Sequence, residues 1–328
     1  MNNASSRSRQ PPRRPWSKEE LVRGRNIALG LATDVSSQNV YNSHLNSYIA
    51  FCSMHSFPLD PTPDTLSFFI VYMSHHIEPR SVGSYLSGIC DRLEIYFPDV
   101  RQNRNSALVK KTLSGMKKLR SKPIRRKQPL TRKHLLDAEN SLSNLSTYDQ
   151  RLFVSMLVTG TCGLLRLGEL TLPDNPAIRN LRKVTLRRSL EFVEDTGFSF
   201  WLPYHKADRL FEGNRIVILP KWNLHPLRTL QYFLQLRDER FPFHPHLWVT
   251  SEGTVPTRAW FMRRLREIEP DSRWAGQSMR AGGATAMAED GDPPQAIQAA
   301  GRWASETFQI YIRKNPFVLN AMLAARRT

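Results

Sequence analysis

Gly163-Leu164-Leu165-Arg166-Leu167-Gly168-Glu169-Leu170 decides how this chain is read, together with Gln277-Ser278-Met279-Arg280-Ala281-Gly282-Gly283-Ala284-Thr285 further along. Gly301-Arg302-Trp303 follows the second segment, and Tyr311 lies just beyond it. Arg166 stands between two leucines, where an unpaired guanidinium is costly to bury. It can form a structural ion pair with Glu169, three residues on, or aim its planar fork at a phosphate. Glu169 can also do both jobs by orienting Arg166. The small residues after Arg280 let a helix pack close to another element, a setting that a surface arginine does not need. Tyr311, in Phe308-Gln309-Ile310-Tyr311-Ile312-Arg313, would by itself be read as a core residue. In this company it completes the outline of a phosphodiester-cutting site, in which two arginines hold a phosphate and a tyrosine attacks it.

The bulk numbers point the same way. A chain of 328 residues is long enough for two domains with proper cores. A net charge of +18 and a pI near 10.3 favour a polyanionic partner. No apolar run approaches the roughly 18 residues needed to span a bilayer, and the N-terminus lacks a signal-peptide core. The expected partner is therefore nucleic acid rather than a membrane. Cys52, Cys90 and Cys162 are far apart and form no CxxC pair, so buried free thiols and an intracellular compartment are expected.

Residues 1–33 read as a basic N-terminal arm, largely without ordered structure, carrying Arg7, Arg9, Arg13 and Arg14. The arm is either a source of phosphate contacts, a nuclear address or an inert tail. Residues 34–119 have helical periodicity and predict a domain of about four helices. Tyr41, Leu45, Tyr48, Ile49 and Cys52 mark the first helix. Asp64 is the expected N-cap of the second, Ser81, Ser84 and Tyr85 lie in the third, and Val109, Leu113 and Met116 mark the fourth. Residues 120–130 read as a basic linker. Around it cluster Lys117, Lys118, Arg120, Lys122, Arg125, Arg126, Lys127, Arg132 and Lys133. That run is either solvated for its own sake or laid along DNA phosphates.

Residues 131–328 form the second domain, with Thr131 as a helix N-cap. Val184–Leu186, Phe198–Leu202 and Arg215–Leu219 alternate like strands. The chain then reads as helical from Pro226 to the end, with breaks near Phe241-Pro242 and Pro293-Pro294. Lys206 follows the second strand near a hairpin tip. It is either a solvated charge or a proton donor to a leaving alkoxide.

In the order Arg166, His205-Lys206-Ala207-Asp208, Gln277-Ser278-Met279-Arg280, Gly301-Arg302-Trp303 and Tyr311, the chain resembles the tyrosine recombinases, the family of phage integrases and Cre-like enzymes. It is most similar to the Crypton-type recombinases of fungal mobile elements. The resemblance implies a mostly α fold with a small antiparallel β-sheet, built as a two-domain C-shaped DNA clamp. In it a helical core-binding (SAM-like) domain precedes the catalytic domain. It implies that Tyr311 attacks a DNA phosphodiester to give a 3′-phosphotyrosyl link, with Arg166 and Arg280 clamping the phosphate and Lys206 protonating the 5′-oxygen. Neither metal, cofactor nor ATP is implied. Double-stranded DNA is the implied partner, bound by a dimer or tetramer assembled on it, and the implied location is nuclear. The apolar stretch Pro316–Leu323 would dock into a neighbouring protomer, and the Ser81–Ile89 helix would enter the major groove.

Two positions depart from the family pattern. Gln277 stands where histidine is usual, and glutamine cannot shuttle a proton near neutral pH. Arg302 stands where histidine or tryptophan is usual, with Trp303 next to it, and either can face the phosphate. The departures keep open a second expectation, a catalytically weak or inactive recombinase-fold DNA-binding protein. A type IB topoisomerase shares the chemistry, but the chain is short for one.

Overall fold

The structure, a computed structural model, describes residues 13–123, 127–143, 146–193, 196–205, 208, 212–268 and 274–303. The chain divides into two compact units, Met1–Ile124 and Arg125–Thr328, so the division falls inside the basic stretch 120–130.

The first unit contains α1 (Lys18–Leu31), α2 (Val35–Met54), α3 (Pro63–His76), α4 (Pro79–Leu93), α5 (Val100–Asn105) and α6 (Ala107–Arg120). Most of these helices begin where a side-chain oxygen satisfies an orphan backbone N–H. Ser17, Asp34, Thr62 and Ser106 do this for α1, α2, α3 and α6. α2 packs on α4 and α3 on α6. Tyr48, Phe51, Leu66, Phe69, Ile70, Val82, Leu86 and Ile89 form the shared core. Exposed polar faces are left over, as the 3.6-residue period requires.

Three expectations are corrected here. Residues 18–31 of the expected unstructured arm are helical, because Ser17 and Glu20 close a capping box and Lys18-Glu19-Glu20-Leu21 is good helix-forming sequence. No residue of α1 is buried, which is why apolar periodicity gave no signal for it. The N-cap of α3 is Thr62 rather than Asp64, because Pro63 fits the first helical position, where its missing N–H costs nothing. α5 is an added short helix with only Val100 buried.

The second unit contains α7 (Arg132–Asn140), α8 (Tyr148–Cys162), α9 (Leu167–Leu170), β1 (Glu191–Val193), β2 (Gly197–Leu202), β3 (Asn214–Ile218), α10 (Pro226–Arg240), α11 (Arg258–Ile268), α12 (Ser278–Glu289) and α13 (Pro294–Ala300). Thr131 caps α7 as expected, accepting from His134 N–H. α8 is buried along nearly its whole length and packs against α10 and α12. The sheet is antiparallel in the order β1-β2-β3, with Glu191 opposite Ser199 and Phe198 opposite Ile218. Phe198, Phe200 and Ile218 from the sheet meet Leu152, Met156, Phe233, Trp248 and Phe261 in one core.

Val184–Leu186 is not a strand of this sheet, contrary to its alternation. It lies between two 3₁₀ turns and pairs instead with residues 245–247, through Leu247 N–H to the Thr185 carbonyl and a single bridge from Leu186 to His246. Such a short alternating run is satisfied by any extended neighbour. The break after α10 is also longer than expected, running from Phe241 to Thr257.

Candidate active site

α8 ends at Cys162 with Gly163 as its C-cap, and the chain turns sharply to begin α9 after Arg166, its N-cap. Leu164 makes the turn with φ +50°, in the left-handed region that ordinarily suits glycine. Gly163 itself has φ −87°. Its need is for space, since a Cβ there would lie 2.9 Å from Ile218 Cδ1 and 3.1 Å from the Thr159 carbonyl. The turn points the Leu164 carbonyl into a group of arginines and places Arg166 as the residue before α9.

Glu169 organises that group. Its carboxylate accepts from Arg166 N–H at 3.0 Å, from Arg166 Nη1 at 2.9 Å and from Arg302 Nη2 at 3.3 Å. The two sequence readings of Arg166 are thus not exclusive: the ion pair with Glu169 exists, and about a third of the arginine side chain (31%) remains exposed. Arg302 is the more enclosed partner, its side chain only 10% exposed. It too has a left-handed backbone, φ +53°. Its Nη1 donates to the Gly163 and Ala300 carbonyls and its Nη2 to the Leu164 carbonyl at 3.2 Å. Its Nε is buried without a hydrogen-bond partner among the described residues. Burial pushes the Arg302 guanidinium below its ordinary pKa, Glu169 pulls the other way, and Arg166 pushes it further down.

Arg280 lies on α12 and is 4% exposed. It donates from Nη1 to the Leu164 carbonyl at 2.6 Å and from Nη2 to the Gly301 carbonyl. Its guanidinium carbon lies 4.1 Å from the centre of the Trp303 ring, a cation–π contact. Trp303 in turn packs on the small cluster of Leu164, Ala284, Met287, Ala288 and Ile297. Arg302 shares Glu169 with Arg166, and Trp303 stacks on Arg280.

The small residues after Arg280 act as the sequence suggests. A Cβ on Gly282 would run into the Leu130 carbonyl oxygen, and one on Gly283 into the Thr161 carbonyl oxygen and Leu164. Gly282 lets α12 lie directly against Leu130, and Gly283 lets it lie directly against the end of α8 and so brings Arg280 to Leu164. A Cβ on Gly301 would overlap the Trp303 ring, so any larger residue there would have to displace that ring.

Arg166, Glu169, Arg280, Arg302 and Trp303 are therefore brought together. Gln277 is exposed, immediately before α12, and its side chain does not cap that helix. Tyr311, Lys206, Arg125 and Arg126 lie outside the described residues, as does Pro316–Leu323. The hairpin that leads to Lys206 is tied by His205 Nε2 to Asn214 Oδ1 at 2.5 Å. In the first unit, Lys117, Lys118, Arg120 and Lys122 are exposed at and beyond the end of α6, and Lys127 is exposed in the second. Ser81 and Ser84 are exposed on α4, whereas Tyr85 is half-buried and stacks on His44 at 4.2 Å. The sequence held no hint of the Leu164 carbonyl as the hub of two arginines, because a left-handed leucine leaves no compositional mark. Among the described residues, no cluster of His, Cys, Asp or Glu could hold a metal ion, and no helix is long and apolar enough to cross a membrane.

No protein-family model and no curated protein matches the sequence. Solved structures do match the fold. The XerH site-specific recombinase bound to palindromic difH substrate, in a post-cleavage complex, is similar at a TM-score of 0.57 and 13% identity, over 81% of this chain and 73% of that one. A fragment of lambda integrase, a dimer bound to a COC′ core site, is similar at 0.53 and 12%, over 89% and 94%. The Tn1549 transposon integrase in complex with circular intermediate DNA is similar at 0.52 and 14%, over 81% and 86%. The chain thus has the mostly helical fold, with a small antiparallel sheet, of the tyrosine recombinases and integrases.

Proposed function

We propose that this protein is a DNA strand-exchange enzyme that cuts and rejoins duplex DNA through a 3′-phosphotyrosyl intermediate. The observation that carries the proposal is the sharing of one carboxylate, Glu169, by Arg166 and Arg302, with Arg280 behind them on the same Leu164 carbonyl. Two guanidiniums on one carboxylate leave an excess of positive charge in a setting where water screens it poorly. A phosphodiester bridging Arg166 and its neighbours would neutralise that excess. Donors fixed in advance also stabilise the charge that builds on the phosphoryl oxygens during attack.

The chemical steps rest on the resemblance for Tyr311 and Lys206. The Tyr311 oxygen attacks phosphorus and gives up its phenolic proton to solvent, the P–O5′ bond breaks, and Lys206 supplies the proton to the leaving 5′-oxygen. The bond to DNA is exchanged for a bond to protein, so the reverse attack by a 5′-hydroxyl restores the duplex with no external energy source. Exchange between two duplexes needs several such sites, hence a dimer or tetramer assembled on DNA. The exposed cations at and beyond the end of α6 would add phosphate contacts. The Crypton affiliation and a nuclear location are carried by the same motifs.

The test uses a pool of randomised duplexes whose scissile positions carry a 5′-bridging sulfur. Attack by tyrosine expels a thiolate that religates poorly, so the covalent adduct accumulates. The expected result is an adduct that mass spectrometry maps to Tyr311 and that Tyr311→Phe does not form. An adduct that persists in Tyr311→Phe refutes the assigned nucleophile. Tight DNA binding with no adduct from the native protein favours the second reading, a DNA-binding protein without strand-cutting activity. The specific observation behind that reading is Gln277, which is exposed before α12 where a proton-shuttling histidine would be usual.

A further inference from the structure

Arg132 belongs to the basic run after α6, but it is not spent as a surface cation. Its Nη2 donates to the Ala286 carbonyl at 2.7 Å and to Asp290 Oδ1 at 2.5 Å. Its guanidinium carbon lies 5.6 Å from the centre of the Trp222 ring, and Trp222 Nε1 donates to the other Asp290 oxygen at 2.5 Å. The turn that presents Trp222 is built from two consecutive left-handed residues, Trp222 with φ 60° and Asn223 with φ 61°. Neither is glycine, so the turn is held by what surrounds it. Trp222 also packs on the cluster of Leu164, Ala284, Met287 and Ile297 that backs the arginine site.

Two residues earlier, Leu130 N–H donates to the Ser278 carbonyl at 3.0 Å, and the Leu130 carbonyl lies against Gly282. The segment Leu130–Arg132 therefore touches α12 and its end at Ser278, Gly282, Ala286 and Asp290. These positions are four residues apart and share one helix face. α12 carries Arg280, and the cluster behind it carries Leu164 and Trp303.

We propose that Arg132 is a positioning residue. With Asp290 and Trp222 it latches the start of the second unit along α12, and it thereby sets the alignment of Arg280 and of the Leu164 carbonyl that holds Arg280 and Arg302. The proposal rests on the strand-exchange reading. Its mechanical content is that the segment entering from the basic stretch 120–130 is fastened to the helix bearing a site arginine. A pull on that segment reaches α12 through Leu130 and, one turn further along the helix, through Arg132.

The test compares Arg132→Ala, Arg132→Lys and the exchanged pair Arg132→Asp with Asp290→Arg, all in the full chain. With the sulfur-bridged duplex pool at saturation, Arg132→Ala should form the adduct about tenfold more slowly, with DNA affinity within about twofold of native, as expected when the residue removed acts on the chemistry through its neighbours and not on DNA binding. The exchanged pair should recover most of the rate. Arg132→Lys, which keeps the charge but loses the fork that reaches Ala286 and Asp290 together, should fall between them. An unchanged rate in Arg132→Ala overturns the proposal, as does a parallel loss of rate, affinity and melting temperature that the exchanged pair fails to restore. If the native protein forms no adduct, it is the strand-exchange reading that fails. The latch is then decided by amide hydrogen exchange. Exchange along residues 278–290 should be about tenfold faster in Arg132→Ala, with α3 unaffected and the exchanged pair restoring protection. Equal exchange along α12 in native protein and variant overturns the latch.

Discussion

The cations at and just beyond the end of α6 and the arginines around Glu169 carry the same charge in opposite settings. Lys117, Lys118, Arg120 and Lys122 are exposed, and most of their charge faces water. Arg280 and Arg302 are nearly enclosed, fixed by the carbonyls of Gly163, Leu164, Ala300 and Gly301, with Glu169 between Arg302 and Arg166. An exposed cation keeps its hydration and its rotamers, so it attracts any polyanion without fixing its position. An enclosed guanidinium has given up both, and it recognises an anion only at one place. The first arrangement suits affinity and the second suits chemistry.

The largest break in that contrast comes from Glu169→Gln. The change leaves Arg302 enclosed without its counter-charge and costs about 3–5 kcal/mol of folding stability, the range for removing one partner of a buried pair. Chemical denaturation measures it. Millimolar inorganic phosphate should restore part of the loss, because an anion can replace the missing carboxylate. Phosphate that stabilises neither the native protein nor the variant would show that the cluster does not behave as an anion site. No comparable rescue is expected for changes among the exposed lysines.

Gly283→Ala tests the enclosure itself, with no charge altered. Its Cβ would press on the Thr161 carbonyl, which is backbone and cannot turn aside. α12 must then move away from α8, at a cost of about 1–3 kcal/mol as for other overpacked cores. Arg280 moves with the helix, so adduct formation should fall by more than the stability loss explains. Gly168→Ala serves as the control, because nothing lies within 4 Å of the Cβ it would add.

How much of this was legible in the sequence depended on whether a residue's role was local. Thr131 as a cap and the helices around Tyr48, Val82 and Val109 follow from periodicity and capping, which act over a few residues. So does the pairing of Arg166 with Glu169. Gly282 and Gly283 announced close packing but not its partners, because Leu130 and Thr161 are remote in the chain. The strand expected at Val184–Leu186 failed because alternation does not say which neighbour will take the backbone hydrogen bonds. α1 was missed because a helix that buries nothing has no apolar stripe to read. Arg132 stands among the linker cations in the sequence and differs from none of them in charge; only the approach of Asp290 and Trp222 sets it apart.

The smallest effect sharpens the other side of the comparison. Lys117→Gln with Lys118→Gln removes two exposed charges from the last turn of α6, a helix that packs through Val109 and Met116. Stability should not change measurably. On the proposed function, the salt dependence should change, because each cation that neutralises a phosphate releases a counterion. The slope of log affinity against log salt should become shallower by roughly 0.9 for each phosphate that is no longer neutralised. The rate of adduct formation at saturating DNA should stay native, since neither lysine belongs to the arginine cluster. Fluorescence anisotropy with one labelled duplex across a salt series measures the slope. An unchanged slope would remove these lysines from the DNA-binding surface, and a fall in the saturated rate would mean that the exposed charges reach the chemistry after all.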